Sequence, residues 1–314
     1  MTGRSIRRVA VIGTGVIGAS WAALFLARGL DVVASDPAVG AEQRLRETVA
    51  KLWPVLERLG LADGASRERL SFTDDVAAAA EQADFVQESG PEREDTKREV
   101  FRRLDAAAPP DVILATSSSG LLPTRIQAAC ARPERVLVGH PFNPPHLVPL
   151  VEVVGGEGTS EDAVASAMAF YAALGKHPIR IRRELVGHVA NRLQAALWQE
   201  AFHLVDIGAV TVAEIDAAIA HGPGRRWALM GPCPLNHLSG GPGGIAHTLD
   251  HLGPLMEAMW DDLGRPRLTP ELKRRLAQGV ADELAGNDVD AMVAERDRIL
   301  VDLIQEKRGA KTLP

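Results

Sequence analysis

The sequence predicts an α/β fold: a doubly wound, mostly parallel sheet covered by helices, followed by a smaller all-helical domain. Three observations carry that expectation. Short β-branched runs alternate with longer amphipathic stretches through the first half of the chain. The glycine cluster Gly13-Thr14-Gly15-Val16-Ile17-Gly18 follows the first run and opens the first amphipathic stretch. After about Ile181 the β-type runs stop and only helical patterns continue. Alternating strand and helix signals are what a parallel sheet with crossover helices requires.

Taken in order, the first strand is expected over Arg8 to Ile12, where Val9-Ala10-Val11-Ile12 is a continuous apolar run ended by glycine. Further strands are read at Val32 to Ser35, Phe85 to Glu88, Val112 to Ala115, Val136 to Gly139 and Val151 to Val154. Helical patterns between them include Ala19 to Arg28, Glu42 to Leu59 and Asp95 to Ala107. Leu185 to Ile207 reads as one long helix, with Val189, Leu193, Leu197 and Leu204 near one face. Helices follow at Val212 to Ala220, Leu255 to Leu263, Pro270 to Leu284 and Val289 to Glu306. The boundary is placed at residues 182–186, giving domains 1–184 and 185–314, with no internal repeat. Gly240 to Gly244 reads as a flexible loop inside the second domain.

A chain of 314 residues is long enough for two domains and a sizeable core. Hydrophobic content of 46% and charged content of 24% place it among ordinary soluble globular proteins. A net charge of -6 offers no attraction to nucleic acid or an anionic membrane. No apolar run reaches the roughly 18 residues of a membrane span, and Val9 to Ile12 is too short for a signal segment. The two cysteines, Cys130 and Cys233, stand in no metal-ligand spacing. A cytoplasmic protein is expected.

The glycine cluster fits G-x-G-x-x-G between a strand and a helix, the context in which it binds a dinucleotide. The glycines permit a tight turn and close approach of a pyrophosphate, and the helix N-terminus supplies amide donors. Asp36 stands 18 residues past Gly18, at the end of the second strand. An acid there accepts from the ribose hydroxyls and repels a 2′-phosphate. Pro37 and Ala38 follow without an arginine, so NAD is favoured over NADP. The cofactor-binding set is Gly13, Thr14, Gly15, Val16, Ile17, Gly18 and Asp36.

His140-Pro-Phe-Asn-Pro-Pro-His-Leu-Val-Pro-Leu-Val-Glu152 lies between two strand candidates, and a return of this length can bring Glu152 alongside His140. A carboxylate beside an imidazole fixes its tautomer and stabilises the imidazolium, which makes a general base. The competing reading is a structural histidine beside an ordinary strand glutamate.

With these motifs in hand, the chain resembles the 3-hydroxyacyl-CoA dehydrogenase superfamily over nearly its whole length. The likeness rests on Gly13 to Gly18, Asp36, Glu88-Ser89-Gly90-Pro91-Glu92, Ser117-Ser118-Ser119, His140-Pro-Phe-Asn143-Pro, Glu152 and Val189-Ala190-Asn191-Arg192. It implies a Rossmann-type first domain and NAD-dependent oxidation of a 3-hydroxy acid. It further implies that His140 is the catalytic histidine, Glu152 its orienting carboxylate, and Ser119 and Asn191 the residues that hold the substrate oxygen. Glu92, Lys97, Ser119 and Asn143 are implied to contact the cofactor.

Within the superfamily, Gly222-Pro223-Gly224-Arg225-Arg226-Trp227-Ala228 departs from the Gly-x-Gly-Tyr-Pro-Met-Gly-Pro of the acyl-CoA enzymes. It looks like the branch that holds lambda-crystallin (L-gulonate 3-dehydrogenase) and L-carnitine dehydrogenase. Arg226-Trp227-Ala228-x-Met230-Gly231 leans to the carnitine enzyme and Asn191 to the gulonate enzyme, and both stay open. Arg226 suits a free carboxylate, and Trp227 a sugar face or a quaternary ammonium, giving substrate-binding residues Ser119, Asn191, Arg226 and Trp227. The alternative makes Arg226 a structural ion-pair residue and Trp227 a core or dimer contact.

His247 and His251 share a helical face but lack a third ligand, so no metal is expected. His146 reads either as an exposed loop residue or as part of the pocket mouth. Leu185 to Ile207 is apolar on more than one side, which predicts a homodimer through the helical domain. Two other functions remain open: a true acyl-CoA thioester dehydrogenase, and a non-catalytic NAD-binding structural or sensor protein.

Overall fold

The computed structural model describes residues 6–313. Two compact units divide the chain, the first ending at Asn191 and the second beginning at Arg192.

The first unit is one eight-stranded sheet. Its strands are β1 (Arg8–Ile12), β2 (Asp31–Ser35), β3 (Leu70–Thr73), β4 (Phe85–Glu88), β5 (Ile113–Thr116), β6 (Val136–Pro141), β7 (Leu150–Gly155) and β8 (His177–Ile181). They lie in the order β3-β2-β1-β4-β5-β6-β7-β8. Every neighbouring pair is parallel except β6 with β7. The helices are α1 (Val16–Ala27), α2 (Ala41–Leu59), α3 (Val76–Glu81), α4 (Glu94–Ala107), α5 (Pro123–Gln127) and α6 (Glu161–Ala173).

Alternation along the strands feeds two large cores and a small third cluster of Val138, Val154 and Ile181. Val9 and Val11 of β1, Phe85 of β4 and Leu137 of β6 point to one face, where Trp21, Phe25, Leu45, Phe170 and Tyr171 cover them. Ala10, Ile12, Val86 and Leu114 point to the other, under Val76, Phe101, Leu104 and Ile126. Both faces are buried, which is why these strands read as unbroken apolar runs rather than as alternating ones.

Two strands, β3 and β8, escaped the sequence reading. Each sits at a sheet edge. Leu70-Ser71-Phe72-Thr73 is half polar, and β8 carries Pro178, which an edge strand tolerates because it lacks a partner on one side.

α7 (Ala190–Asp206) begins in the last two residues of the first unit, and the second unit is helical among its described residues: the rest of α7, then α8 (Val212–His221), α9 (Pro223–Trp227), α10 (Pro232–Ser239), α11 (Gly244–Asp262), α12 (Pro270–Glu283) and α13 (Val289–Gly309). The expected long helix from Leu185 is corrected, since α7 begins only at Ala190. Gly187 and His188 adopt left-handed φ values of 78° and 51°, which a helix does not admit. The glycine run is likewise a tight junction, not a slack loop. A Cβ on Gly240 would sit 1.8 Å from the Gly244 oxygen, and Gly244 already starts α11, well before the expected Leu255. No helix of the described residues is long and apolar enough to cross a membrane.

Candidate active site

β1 lies between β2 and β4, so successive crossovers leave it in opposite directions and open a crevice at its C-terminal end. The glycine cluster occupies that crevice. Gly13 has φ 85°, and a Cβ there would meet Gly90 N at 2.7 Å; a Cβ on Gly18 would meet Gly13 O at 1.8 Å. These two positions are closed to any side chain. Gly15 is the opposite case, because a Cβ there would find nothing within 4 Å. Gly15 also caps α1 without a side-chain hydrogen bond, and the first turn holds no acid. The exposed amide end of α1 and the open space over Gly15 fit a pyrophosphate.

Asp36 accepts from Thr14 N at 2.8 Å and Thr14 Oγ1 at 3.1 Å through one oxygen, and from Ala38 N at 2.9 Å through the other. The acid therefore ties the end of β2 to the glycine turn. Beside it lies a cavity of about 680 Å³ lined by Asp36, Pro37, Val39, Glu42, Arg46 and Asp74 among others. Arg46 there is ion-paired with Glu42 at 2.8 Å. With three acids around it, the cavity suits an uncharged adenosine hydroxyl better than a phosphate.

His140 and Glu152 are direct cross-strand partners in the antiparallel pairing of β6 and β7. His140 Nδ1 stands 2.8 Å from Glu152 Oε2, with Glu152 fully buried and His140 6% exposed. Glu152 Oε1 accepts from the amides of Val189 and Ala190, each at 2.9 Å. Burial by itself raises the Glu152 carboxyl, but the hydrogen bonds from His140 and the two amides outweigh it and hold the group below the usual carboxylate range. An ionised carboxylate only accepts, so Nδ1 carries the ring proton. Nε2 is left with its lone pair and no hydrogen-bond partner among the described residues.

Ser118, Ser119, Gly120 and Leu121 form a turn gathered on one oxygen of Glu92. Glu92 Oε1 accepts from Ser118 Oγ at 2.6 Å and from the amides of Ser119, Gly120 and Leu121 at 3.1, 2.9 and 3.3 Å. Burial raises the Glu92 carboxyl, yet these bonds and Lys97 together keep it below its ordinary value. Lys97 is 1% exposed and donates to both oxygens of Glu88, at 2.9 and 2.8 Å, and to Gly90 O at 3.2 Å. Lys97 and Glu92 thus brace the turn. The Ser119 hydroxyl has no hydrogen-bond partner among the described residues.

Asn143 is exposed on the loop after β6, where the Asn143–Pro144 peptide is cis. Asn191 is half-buried in the first turn of α7, next in sequence to the amides that cap Glu152. His146, read as an exposed or pocket-mouth residue, is instead 5% exposed, with Nδ1 2.7 Å from Ser20 Oγ of α1. In the second unit, Arg226 and Trp227 lie on α9 and are exposed. Trp227 is 46% exposed, which removes it from any core of this unit, and Arg226 makes no ion pair among the described residues. His247 and His251 are stacked rings 6.1 Å apart.

One residue beside His140 carries no mark in the sequence reading. His188 is fully buried, its ring 5.1 Å from that of His140. Its only signal is Gly187 before it, a helix breaker inside what otherwise reads as helix.

Residues 8–185 match the model of the 3-hydroxyacyl-CoA dehydrogenase NAD binding domain, and residues 187–282 that of the 3-hydroxyacyl-CoA dehydrogenase C-terminal domain. The chain belongs to the 3-hydroxyacyl-CoA dehydrogenase family. The L-carnitine dehydrogenase of Streptomyces coelicolor is 52% identical over 301 residues, covering 96% of this chain and 95% of that protein. That of Pseudomonas aeruginosa is 46% identical over 306 residues, covering 98% and 95%. Among solved structures, 5-formyl-3-hydroxy-2-methylpyridine 4-carboxylic acid 5-dehydrogenase, an NAD+ dependent dismutase, superposes with a TM-score of 0.84 at 31% identity, covering 98% of this chain and all of that one. This 3-hydroxyacyl-CoA dehydrogenase family member is an NAD-dependent dehydrogenase, and NAD is its cofactor.

Proposed function

We propose that the enzyme oxidises L-carnitine, a small L-3-hydroxy acid with a free carboxylate and a quaternary ammonium, to its 3-oxo acid. The observation that carries the chemistry is the 2.8 Å contact between His140 Nδ1 and the buried Glu152. The substrate is drawn from the carnitine dehydrogenases to which the chain is 45–52% identical.

NAD, when bound, supplies the hydride acceptor; Gly13 to Gly18 hold its pyrophosphate and Asp36 its adenosine ribose. Glu92, Lys97, Ser119 and Asn143 belong to the nicotinamide side. His140 Nε2 takes the proton of the C3 hydroxyl as the C3–H bond breaks, and the imidazolium formed is stabilised by Glu152. The proton then leaves to solvent and the ring returns to its starting tautomer. The Ser119 hydroxyl and Asn191 amide hold the substrate oxygen in line, so orientation and charge placement supply most of the acceleration. Arg226 binds the carboxylate through its planar fork, and Trp227 attracts the trimethylammonium through its ring. The lack of an ion-pair partner for Arg226 and the exposure of Trp227 support these last assignments.

The reading is tested by NADH formation with L-carnitine, L-gulonate, L-3-hydroxybutyrate and 3-hydroxybutyryl-CoA. Carnitine turned over with the highest kcat/KM is the expected result. Dominance of gulonate would move the substrate to the other branch member, and dominance of the thioester would make this an acyl-CoA enzyme. NAD binding without turnover of any of them leaves only a binding protein.

The working form is proposed to be a cytoplasmic homodimer joined through the helical unit. Among the described residues from Arg192 onward, Val205, Leu272 and Val301 are the buried large apolar side chains, whereas Leu193, Trp198 and Trp260 are 63%, 50% and 64% exposed. So thin a core is not self-sufficient, and a second copy supplies the missing cover. Both cysteines are free thiols, as suits a reducing compartment.

A further inference from the structure

The Ser118–Leu121 turn and the His140–Glu152 pair belong to different strands, and the proposed reaction needs them in fixed register. His188 touches both. Its Nε2 lies 3.0 Å from the Ser118 carbonyl oxygen. A carbonyl accepts only, so Nε2 carries a proton. Nδ1 is buried and without a partner among the described residues; a charged ring would leave a second N–H there unpaired, which favours the neutral form. The ring packs on His140 with centroids 5.1 Å apart at 49°.

The backbone of His188 performs a second task. Its φ of 51°, after Gly187 at 78°, is a left-handed conformation that non-glycine residues rarely adopt. The conformation turns the next two amides, of Val189 and Ala190, onto Glu152 Oε1. Consecutive amides aimed at one carboxylate form an anion-binding nest.

His188 is unsuited to be the base itself. No carboxylate hydrogen-bonds to it among the described residues, and its proton is held by a group that cannot take it away. Glu152 and Glu92 lie near enough to favour its charged form, and the His140 ring opposes it. Burial also pulls its imidazole below the ordinary value, with the Ser118 carbonyl offsetting only part of that. We propose that His188 is a positioning residue for the reaction: its neutral imidazole locks the Ser118–Ser119 turn, which holds the substrate oxygen, against the His140–Glu152 pair. The inference rests on the function proposed above and adds a residue to that site.

The test compares the full-length wild type with H188A, H188N and H188Q. Asn accepts a left-handed backbone readily but its amide is too short to reach Ser118, whereas the Gln amide nitrogen falls near the place of imidazole Nε2. Expected are kcat and kcat/KM lower by about tenfold to a hundredfold in H188A and H188N, because small misplacements of reacting groups cost that much. The Kd for NAD stays within about twofold, and H188Q recovers to within about threefold of wild type by restoring one hydrogen bond. Activity of H188N equal to wild type, or H188Q no better than H188N, overturns the proposal. Nitrogen-15 NMR of the wild type needs no substrate: at mildly alkaline pH His188 must show the Nε2–H tautomer, and its ring must take up a proton at lower pH than a free histidine does. The Nδ1–H tautomer, or protonation at or above the pH of a free histidine, overturns the proposal equally. Failure of carnitine turnover by the wild type would count against the substrate reading and leave the NMR result to decide on His188.

Discussion

Glu152 directs one oxygen to His140 and the other to two backbone amides, so it sets a proton position and a chain direction together. Replacing Glu152 with Gln keeps the volume but loses the charge. We expect kcat to fall by about a hundredfold to ten-thousandfold in a single-turnover assay, the range typical of a misoriented general base. His140→Ala should abolish hydride transfer while NAD binding, followed by calorimetry, stays as in wild type. A pH dependence of stability also follows. The folded-state carboxyl of Glu152 lies below its unfolded value, so the unfolded chain binds the proton first as pH falls. The stabilisation is complete above the ordinary carboxylate pKa and fades as pH drops below it. Urea melts in that acid range should therefore decline more steeply for wild type than for Glu152→Gln. Lys176 gives the same sign at higher pH and for a different reason, since its burial disfavours the charged form. Burial, and secondarily Arg28, push its ammonium down to about 7. Its amine donates to the carbonyls of Pro145 and Val148 on the loop that follows His140. Because the unfolded lysine holds its proton to higher pH, stability rises with pH above the folded value. Between about pH 7 and 9 the gain of wild type over Lys176→Met should be about 2 kcal/mol. Equal slopes for the two proteins would refute this.

At the level of elements, β6 and β7 form the one antiparallel pairing of the sheet, and that pairing places His140 and Glu152 opposite each other. Gly139, just before His140, is required by its neighbour in space: a Cβ there would lie 1.9 Å from the Tyr171 hydroxyl of α6. That hydroxyl donates to Gln87 Oε1 at 2.6 Å, and Gln87 in turn donates to Ser117 Oγ at 2.8 Å, linking α6 to the strands beneath it. Gly139→Ala is therefore expected to destabilise the protein by about 1–3 kcal/mol, as overpacking does, and Tyr171→Phe in the same chain to recover part of it. Denaturant midpoints of the two variants check both statements. Much of this architecture was legible in the residues. The inner strands announce themselves because both faces are apolar, and the return from His140 to Glu152 has the length that a paired hairpin needs. What escaped had a physical reason in each case. β3 and β8 are edge strands with mixed or proline-bearing sequences. The start of α7 was misplaced because apolar spacing continues upstream, through a turn that Gly187 and His188 make left-handed. The role of His188 depends on a carbonyl 70 positions away, and no local pattern encodes that.

Across the whole molecule, the two units differ in how much they bury. The sheet unit fills two large cores, while the described part of the helical unit buries three large apolar side chains. Light scattering at micromolar concentration should give twice the mass of the chain. Leu193→Glu with Trp198→Glu, both on exposed positions of α7, should shift it toward single copies and lower the melting temperature. A monomeric wild type would remove the support for this assembly. The same thin core bears on handling. Where cover for oily helices comes from another copy, mass action governs how long the fold survives warming. Stocks kept dilute will inactivate sooner than concentrated ones, and shelf life becomes a property of the vial as well as of the sequence.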